Sequence, residues 1–192
     1  MKLLRNFSVL ALLMLSTACV SQQQGPKGAP PSDPIASVDA SELRAQGLGF
    51  ARRGDLVRAQ QYLSASMAKG FDPRVIVPEL VKVCIASSRL RAALAFAEPY
   101  LMEHPEDAGM QYVVGTIHMA LGNLQEASTH LDGALRAGTL MPEALFSLAL
   151  VAEERGETDV VRTNLQRYLE GSPRGRYASR AKSMLARLGA GS

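Results

Sequence analysis

Three zones of hydrophobic and polar patterning follow one another along the chain. An apolar run from Phe7 to Leu15, broken only by Ser8, comes after the cations Lys2 and Arg5. Residues 20 to 40 show no hydrophobic periodicity and are rich in Gln, Gly, Pro and Ser. Beyond them, small and apolar side chains return at a fixed step. Gly54, Ser88, Gly122 and Gly156 are spaced by 34 residues; Ala59, Ala93, Ala127 and Val161 keep that step, as do Leu63, Ala97, Leu131 and Leu165. Gly47 and Gly115 lie two such steps apart. A repeat that cannot bury its apolar face alone must stack on its neighbours. The pattern predicts an all-α domain over 41–188: four helix pairs, about 40–73, 74–107, 108–141 and 142–173, and a last capping helix at about 174–188.

Local signals agree with these boundaries. A glycine followed by a polar residue (Gly54-Asp55, Gly122-Asn123) ends one helix and starts the next. Asp39 with Glu42, and Asn123 with Glu126, have capping-box spacing. Pro73, Pro105 and Pro173 fall near repeat ends. Pro78 and Pro99 fall inside the second pair and predict a kink or a shifted boundary there.

The 34-residue period, with Leu43, Gly47, Phe50, Gly54, Ala59 and Leu63 in the first unit, resembles the tetratricopeptide repeat. The resemblance implies a superhelix whose inner surface is lined by the first helix of each pair. Val161 in place of a small Ala, and Gln46, Gln111 and His118 in usually apolar or aromatic places, depart from the family pattern.

The amino-terminal zone reads as an address. Its apolar run is far short of the ~20 residues that span a bilayer, which fits a signal peptide over 1–18. Leu15-Ser16-Thr17-Ala18-Cys19 resembles a bacterial lipobox, with Ser16 where Leu is usual. The resemblance implies lipidation of Cys19 and cleavage before it; by similarity to enteric lipoproteins, Val20 implies outer-membrane sorting, facing the periplasm. The plainer alternative is an ordinary signal peptide cut after Ala18. Residues 19–40 then form an anchor and flexible linker. Fully extended, residues 20–40 would reach roughly 70 Å, and as a coil nearer about 25 Å.

Composition narrows the function. The chain carries 21 Lys and Arg against 18 Asp and Glu, and loss of Lys2 and Arg5 leaves 19 against 18. A nearly neutral chain lacks the broad basic face of a nucleic-acid binder. Apolar residues at 47% sustain a core, and 5% aromatics with no Trp favour close helix packing over a β-sandwich. No phosphate-binding loop, zinc-protease motif or nucleophile elbow occurs. His104, His118 and His130 lack metal-ligand spacing, and His118 reads as a packed, hydrogen-bonded histidine. Cys84, between Val83 and Ile85, reads as a buried small hydrophobe. The expectation is a protein with no catalytic residues, no metal, no cofactor and no small-molecule substrate.

The family's ligand-facing places, carried onto this chain, give Arg44, Leu48 and Arg52 in the first unit and Lys82 and Ile85 in the second. The third gives Tyr112, Thr116 and Met119, and the fourth Phe146, Leu150, Glu153 and Glu154. This stripe is basic at one end, apolar in the middle and acidic at the other, which suits an amphipathic segment. Alternatively, Tyr112 and Phe146 complete the helix-to-helix core. Arg44 and Leu48 stand where the chaperone-binding members have their carboxylate clamp, so that ligand is not expected. The basic run from Arg162 to Arg187 reads as a solvated face or a contact for an anionic surface. The whole layout resembles bacterial tetratricopeptide lipoproteins, among them the tight-adherence (Flp) pilus assembly lipoprotein and the type IV pilus secretin-pilot family. It implies a membrane-anchored scaffold whose protein partner is a secretin or pilus component. The alternative is an envelope adaptor that recruits cell-wall hydrolases or synthases.

Overall fold

The computed structural model describes residue 35 and residues 37–137 and 141–190. Cys19, the signal segment and most of the linker lie outside the described residues. Helices α1 (Ala40–Arg52) and α2 (Leu56–Ala68) form the first pair, α3 (Pro73–Ala86) and α4 (Leu90–Glu103) the second. The third is α5 (Ala108–Ala120) and α6 (Leu124–Arg136), and the fourth α7 (Pro142–Glu154) and α8 (Thr158–Gly171); α9 (Ala178–Ala190) packs on α8. Each helix contacts the next along the chain, so the pairs stack in sequence order. No described helix is long and apolar enough to cross a membrane.

The turn inside each pair has one geometry. Gly54, Gly122 and Gly156 take φ of 80°, 77° and 74°, and Ser88 takes φ of 57° at the same register. After each, an N–H reaches back five residues: Asp55 to the Phe50 carbonyl, Arg89 to Cys84, Asn123 to His118 and Glu157 to Ala152, at 3.0, 2.8, 2.9 and 2.9 Å. This is the Schellman closure, which satisfies carbonyls that the helix end would otherwise strand. Helix starts use aspartate: Asp39, Asp55, Asp72 and Asp107 accept from Glu42, Arg58, Arg74 and Met110 backbone N–H groups.

Within each pair the helices meet at one register, and side-chain volume is traded across it. A Cβ on Gly47 would lie 2.8 Å from Leu63 Cγ, and one on Gly115 would lie 2.8 Å from Leu131 Cγ. The second pair places Val81 opposite Ala97 at this register, and the fourth places Ala149 opposite Leu165. All of these residues are buried. Where the first helix is bare the second is large, and in the second pair the order is reversed.

Three expectations need correction. Pro78 and Pro99 neither end nor shift their helices; α3 and α4 run through them. Pro78, Pro99 and the residues four before them, Arg74 and Ala95, are all exposed, so carbonyls deprived of a proline N–H can meet water. Asn123 does not cap α6 with its side chain; Nδ2 instead lies 3.3 Å from His118 Nδ1. The last helix begins at Ala178, not near 174. A turn ahead of it is held by the Tyr177 N–H donating to the Tyr168 hydroxyl at 2.9 Å.

Candidate functional site

The first helices of the first three pairs line two open troughs. One, of about 400 Å³, runs between α1 and α3 and is lined by Leu48, Ala51, Arg52, Glu79, Lys82 and Ala86, with Leu56 and Val83 beside them. The other, of about 580 Å³, runs between α3 and α5; Pro78, Val81, Ile85, Met110 and Val113 give it an apolar lining, and Lys82 stands at its edge. Lys82 and Ala86 belong to both, so α3 forms a ridge between them.

One register of the repeat explains why the second trough is open. Arg44, Pro78, Tyr112 and Phe146 are related by the 34-residue step. Arg44 reaches α3, where its guanidinium pairs with Glu79 and Nε lies 3.0 Å from Oε2. Tyr112 reaches α7 through a hydrogen bond with Ser147. Phe146 reaches the turn before α9, where its ring stacks on Tyr177 at 4.4 Å and Arg180 lies 5.5 Å over it. Pro78 has no such reach. The seam between α3 and α5 therefore lacks the side chain that closes or bridges the others.

The predicted residues separate accordingly. Leu48, Arg52, Lys82 and Ile85 are brought together around the troughs. Arg44 lies beside them but is engaged by Glu79. Tyr112 and Met119 are half-buried against the core formed with α6 and α7. The Thr116 hydroxyl donates within its own helix to the Val113 carbonyl at 2.8 Å. Leu150 packs against the last core cluster. Phe146 is 2% exposed, sealed among Tyr168, Tyr177 and Arg180, so it completes the core and offers no surface to a partner. The acidic end is also corrected. Glu153 lies 3.6 Å from Arg187, and Arg176 and Arg180 stand over the Tyr177 and Phe146 rings of that same end. The cation on α9 was hidden from a repeat-by-repeat transfer because α9 falls after the last full unit.

Sequence reasoning missed Pro78, Val81, Met110 and Val113 as lining residues. The signal was present, since Pro78 occupies the place of Arg44 and Tyr112, but it read as a defect in a helix rather than as an absent bridge.

Polar chemistry elsewhere is satisfied. His118 is buried; Nε2 lies 3.3 Å from Glu98 Oε1 while Nδ1 meets Asn123. Its ring stacks on His130 at 5.5 Å, and His130 Nδ1 lies 2.8 Å from Gln111 Oε1. Burial, then the neighbouring His118, hold His130 below the ordinary value of 6.5. The Tyr100 hydroxyl donates to Asp107 at 2.8 Å and is pushed up to about 12, by burial first and by that carboxylate second. Burial pushes the Cys84 thiol up, which disfavours the reactive thiolate. Among the described residues no group of three or more His, Cys, Asp or Glu could hold a metal ion.

No family model and no curated protein matches the chain. Solved structures do. A tetratricopeptide repeat protein from Parabacteroides merdae superposes with a TM-score of 0.72 at 20% identity, over 79% of this chain and 60% of that one. YrrB, described as a TPR protein with an unusual peptide-binding site, gives 0.68 at 14% identity over 79% and 76%. MamA from Desulfovibrio magneticus gives 0.66 at 15% identity over 78% and 92%. This chain thus spans 60% of the length of the first of these. At such identities the likeness is one of fold, and the fold is an all-helical tetratricopeptide superhelix of four helix pairs with a closing ninth helix.

Proposed function

We propose that this chain is a non-catalytic scaffold of the bacterial cell envelope, held on the outer membrane by a lipid on Cys19. Its partner is a protein, a secretin or other pilus component. The observation that carries the scaffold is the pair of open, largely apolar troughs on stacked first helices, at Leu48, Lys82 and Ile85. Apolar troughs with a few placed charges bind protein segments through burial and are steered by charge. The peptide-binding site named for YrrB, a neighbour in fold, is consistent with that use. The anchor rests on the residues around Cys19 and on acyl-chain energetics: at about 0.8 kcal/mol per buried CH₂, two or more chains hold durably.

The test is fractionation and cross-linked purification from the native cell, comparing the wild-type chain with Cys19→Ser. The wild-type chain is expected in the outer-membrane fraction with a lipid-bearing mature mass, and its cross-linked complex is expected to contain a secretin. Cys19→Ser should leave the membrane fraction. Unchanged fractionation and mass reject the anchor, and a complex lacking any pilus or secretin component rejects the assignment of the partner.

A further inference from the structure

We infer that the ridge of α3 and its two flanking troughs form a seat for an acidic amphipathic helix, supplied by the partner protein. This deepens the proposed scaffold role and rests on it.

The α3 face turned to solvent carries Val75, Pro78, Lys82 and Ile85, spaced by three, four and three residues. Val75 and Ile85 are 39% and 40% exposed, unusually open for β-branched residues inside a helix of a packed repeat. Spacings of three and four are those of a helix stripe that accepts a second helix alongside. The troughs on either side of the ridge give apolar knobs of such a helix somewhere to go. The deeper one exists because Pro78 takes the place of a bridging side chain.

Charge decides the sign of the occupant. Two carboxylates stand at the troughs, and both are engaged. Glu79 pairs with Arg44, and Asp107 accepts from the Met110 N–H at 2.9 Å and from the Tyr100 hydroxyl at 2.8 Å. Among the described residues, neither Arg52 nor Lys82 has a carboxylate within ion-pairing distance. The seat therefore presents apolar floors under two uncompensated cations. A helix with Leu- or Ile-like residues on one face, flanked by Asp or Glu, complements both features; a basic one is repelled.

The repeat itself supplies a variant that separates binding from folding. Pro78→Tyr installs the residue that the next unit carries at Tyr112, fills the seam between α3 and α5, and restores a helical N–H. It should keep or raise the denaturation midpoint. A display library of 14-residue peptides is selected on the full mature chain in detergent, and the selected peptides are then measured on Pro78→Tyr and Lys82→Glu. Selected sequences should combine apolar residues at helical spacing with Asp or Glu. They should bind Pro78→Tyr at least 10-fold more weakly, and their affinity for the wild-type chain should fall with added salt. Lys82→Glu should weaken them similarly while the fold persists. Selected peptides that are basic or uncharged, no selection at all, or undiminished binding by Pro78→Tyr each overturn the acidic-helix seat. Self-association of the wild-type chain that Pro78→Tyr abolishes overturns it in favour of a second copy. A native partner cross-linked at the seat through a basic segment sinks this inference alone and leaves the scaffold role standing. Cross-links confined to the outer helices sink both.

Discussion

Ser88 takes its backbone through φ of 57°, at the turn position where the other three pairs use glycine. An L-residue there is strained by roughly 1–2 kcal/mol, and the greater freedom of an unfolded glycine offsets about 0.4–1 kcal/mol of any relief. Ser88→Gly should therefore stabilise the domain by a few tenths to about 1 kcal/mol. Chemical denaturation measures this; an unchanged or lowered midpoint would show that the turn is not strained. His130 gives the pH counterpart. Its folded pKa lies below the ordinary 6.5, through burial and His118, against weaker opposite effects of Glu98 and Glu126. The unfolded chain thus takes up the proton more readily. Stability tied to this group is complete above the ordinary value and is lost as pH falls through the depressed one. The midpoint should decline from about pH 7 to about pH 5, and His130→Gln should flatten that decline. An identical slope in the variant would contradict the assignment. The register of Arg44, Pro78, Tyr112 and Phe146 shows what a single position can hide. Its periodicity is plain in the sequence, but whether each side chain faces a partner or the next helix depends on what stands opposite: Glu79, Ser147 or Tyr177.

At the scale of the element, helix pairs are held by complementary volumes more than by any one residue type. Gly115 faces Leu131 with no space for a methyl group, since a Cβ would sit 2.8 Å from Leu131 Cγ and 3.1 Å from its backbone nitrogen. Gly115→Ala should destabilise by about 1–3 kcal/mol through overpacking. Leu131→Ala alone should cost about 2–5 kcal/mol. The double variant approaches the pairing of Val81 with Ala97 and should cost less than the sum. A double-mutant cycle reads that coupling, and strict additivity would mean that the two residues do not share one space. The helices themselves were legible, because turn glycines, aspartate caps and the 34-residue step all bear on the same boundaries. The proline rule failed for α3 and α4 because it assumes that the stranded carbonyl is buried, and Arg74 and Ala95 are exposed. The capping box at Asn123 failed because His118, distant by one turn and buried, takes the amide instead.

At the scale of the whole molecule, stacking places first helices side by side and creates seams that no single repeat contains. That is why Leu48, Arg52, Lys82 and Ile85 could be named from the repeat, whereas the troughs between them could not. It is also why the far end was misjudged. There α9 brings Arg176, Arg180 and Arg187 over Tyr177, Phe146 and Glu153, and so covers a surface that would otherwise have been aromatic and acidic. The central claim is that a partner protein docks on the ridge of α3. Site-specific photo-cross-linking tests it most directly, with the photoreactive residue placed at Ile85 in the seat and, in a separate chain, at Met102 on α4, which is 84% exposed. Adducts mapped by mass spectrometry should form from position 85 to an apolar, acidic segment of an envelope protein and be absent from position 102. Adducts from position 102 alone, or to the same segment from both positions, would contradict it.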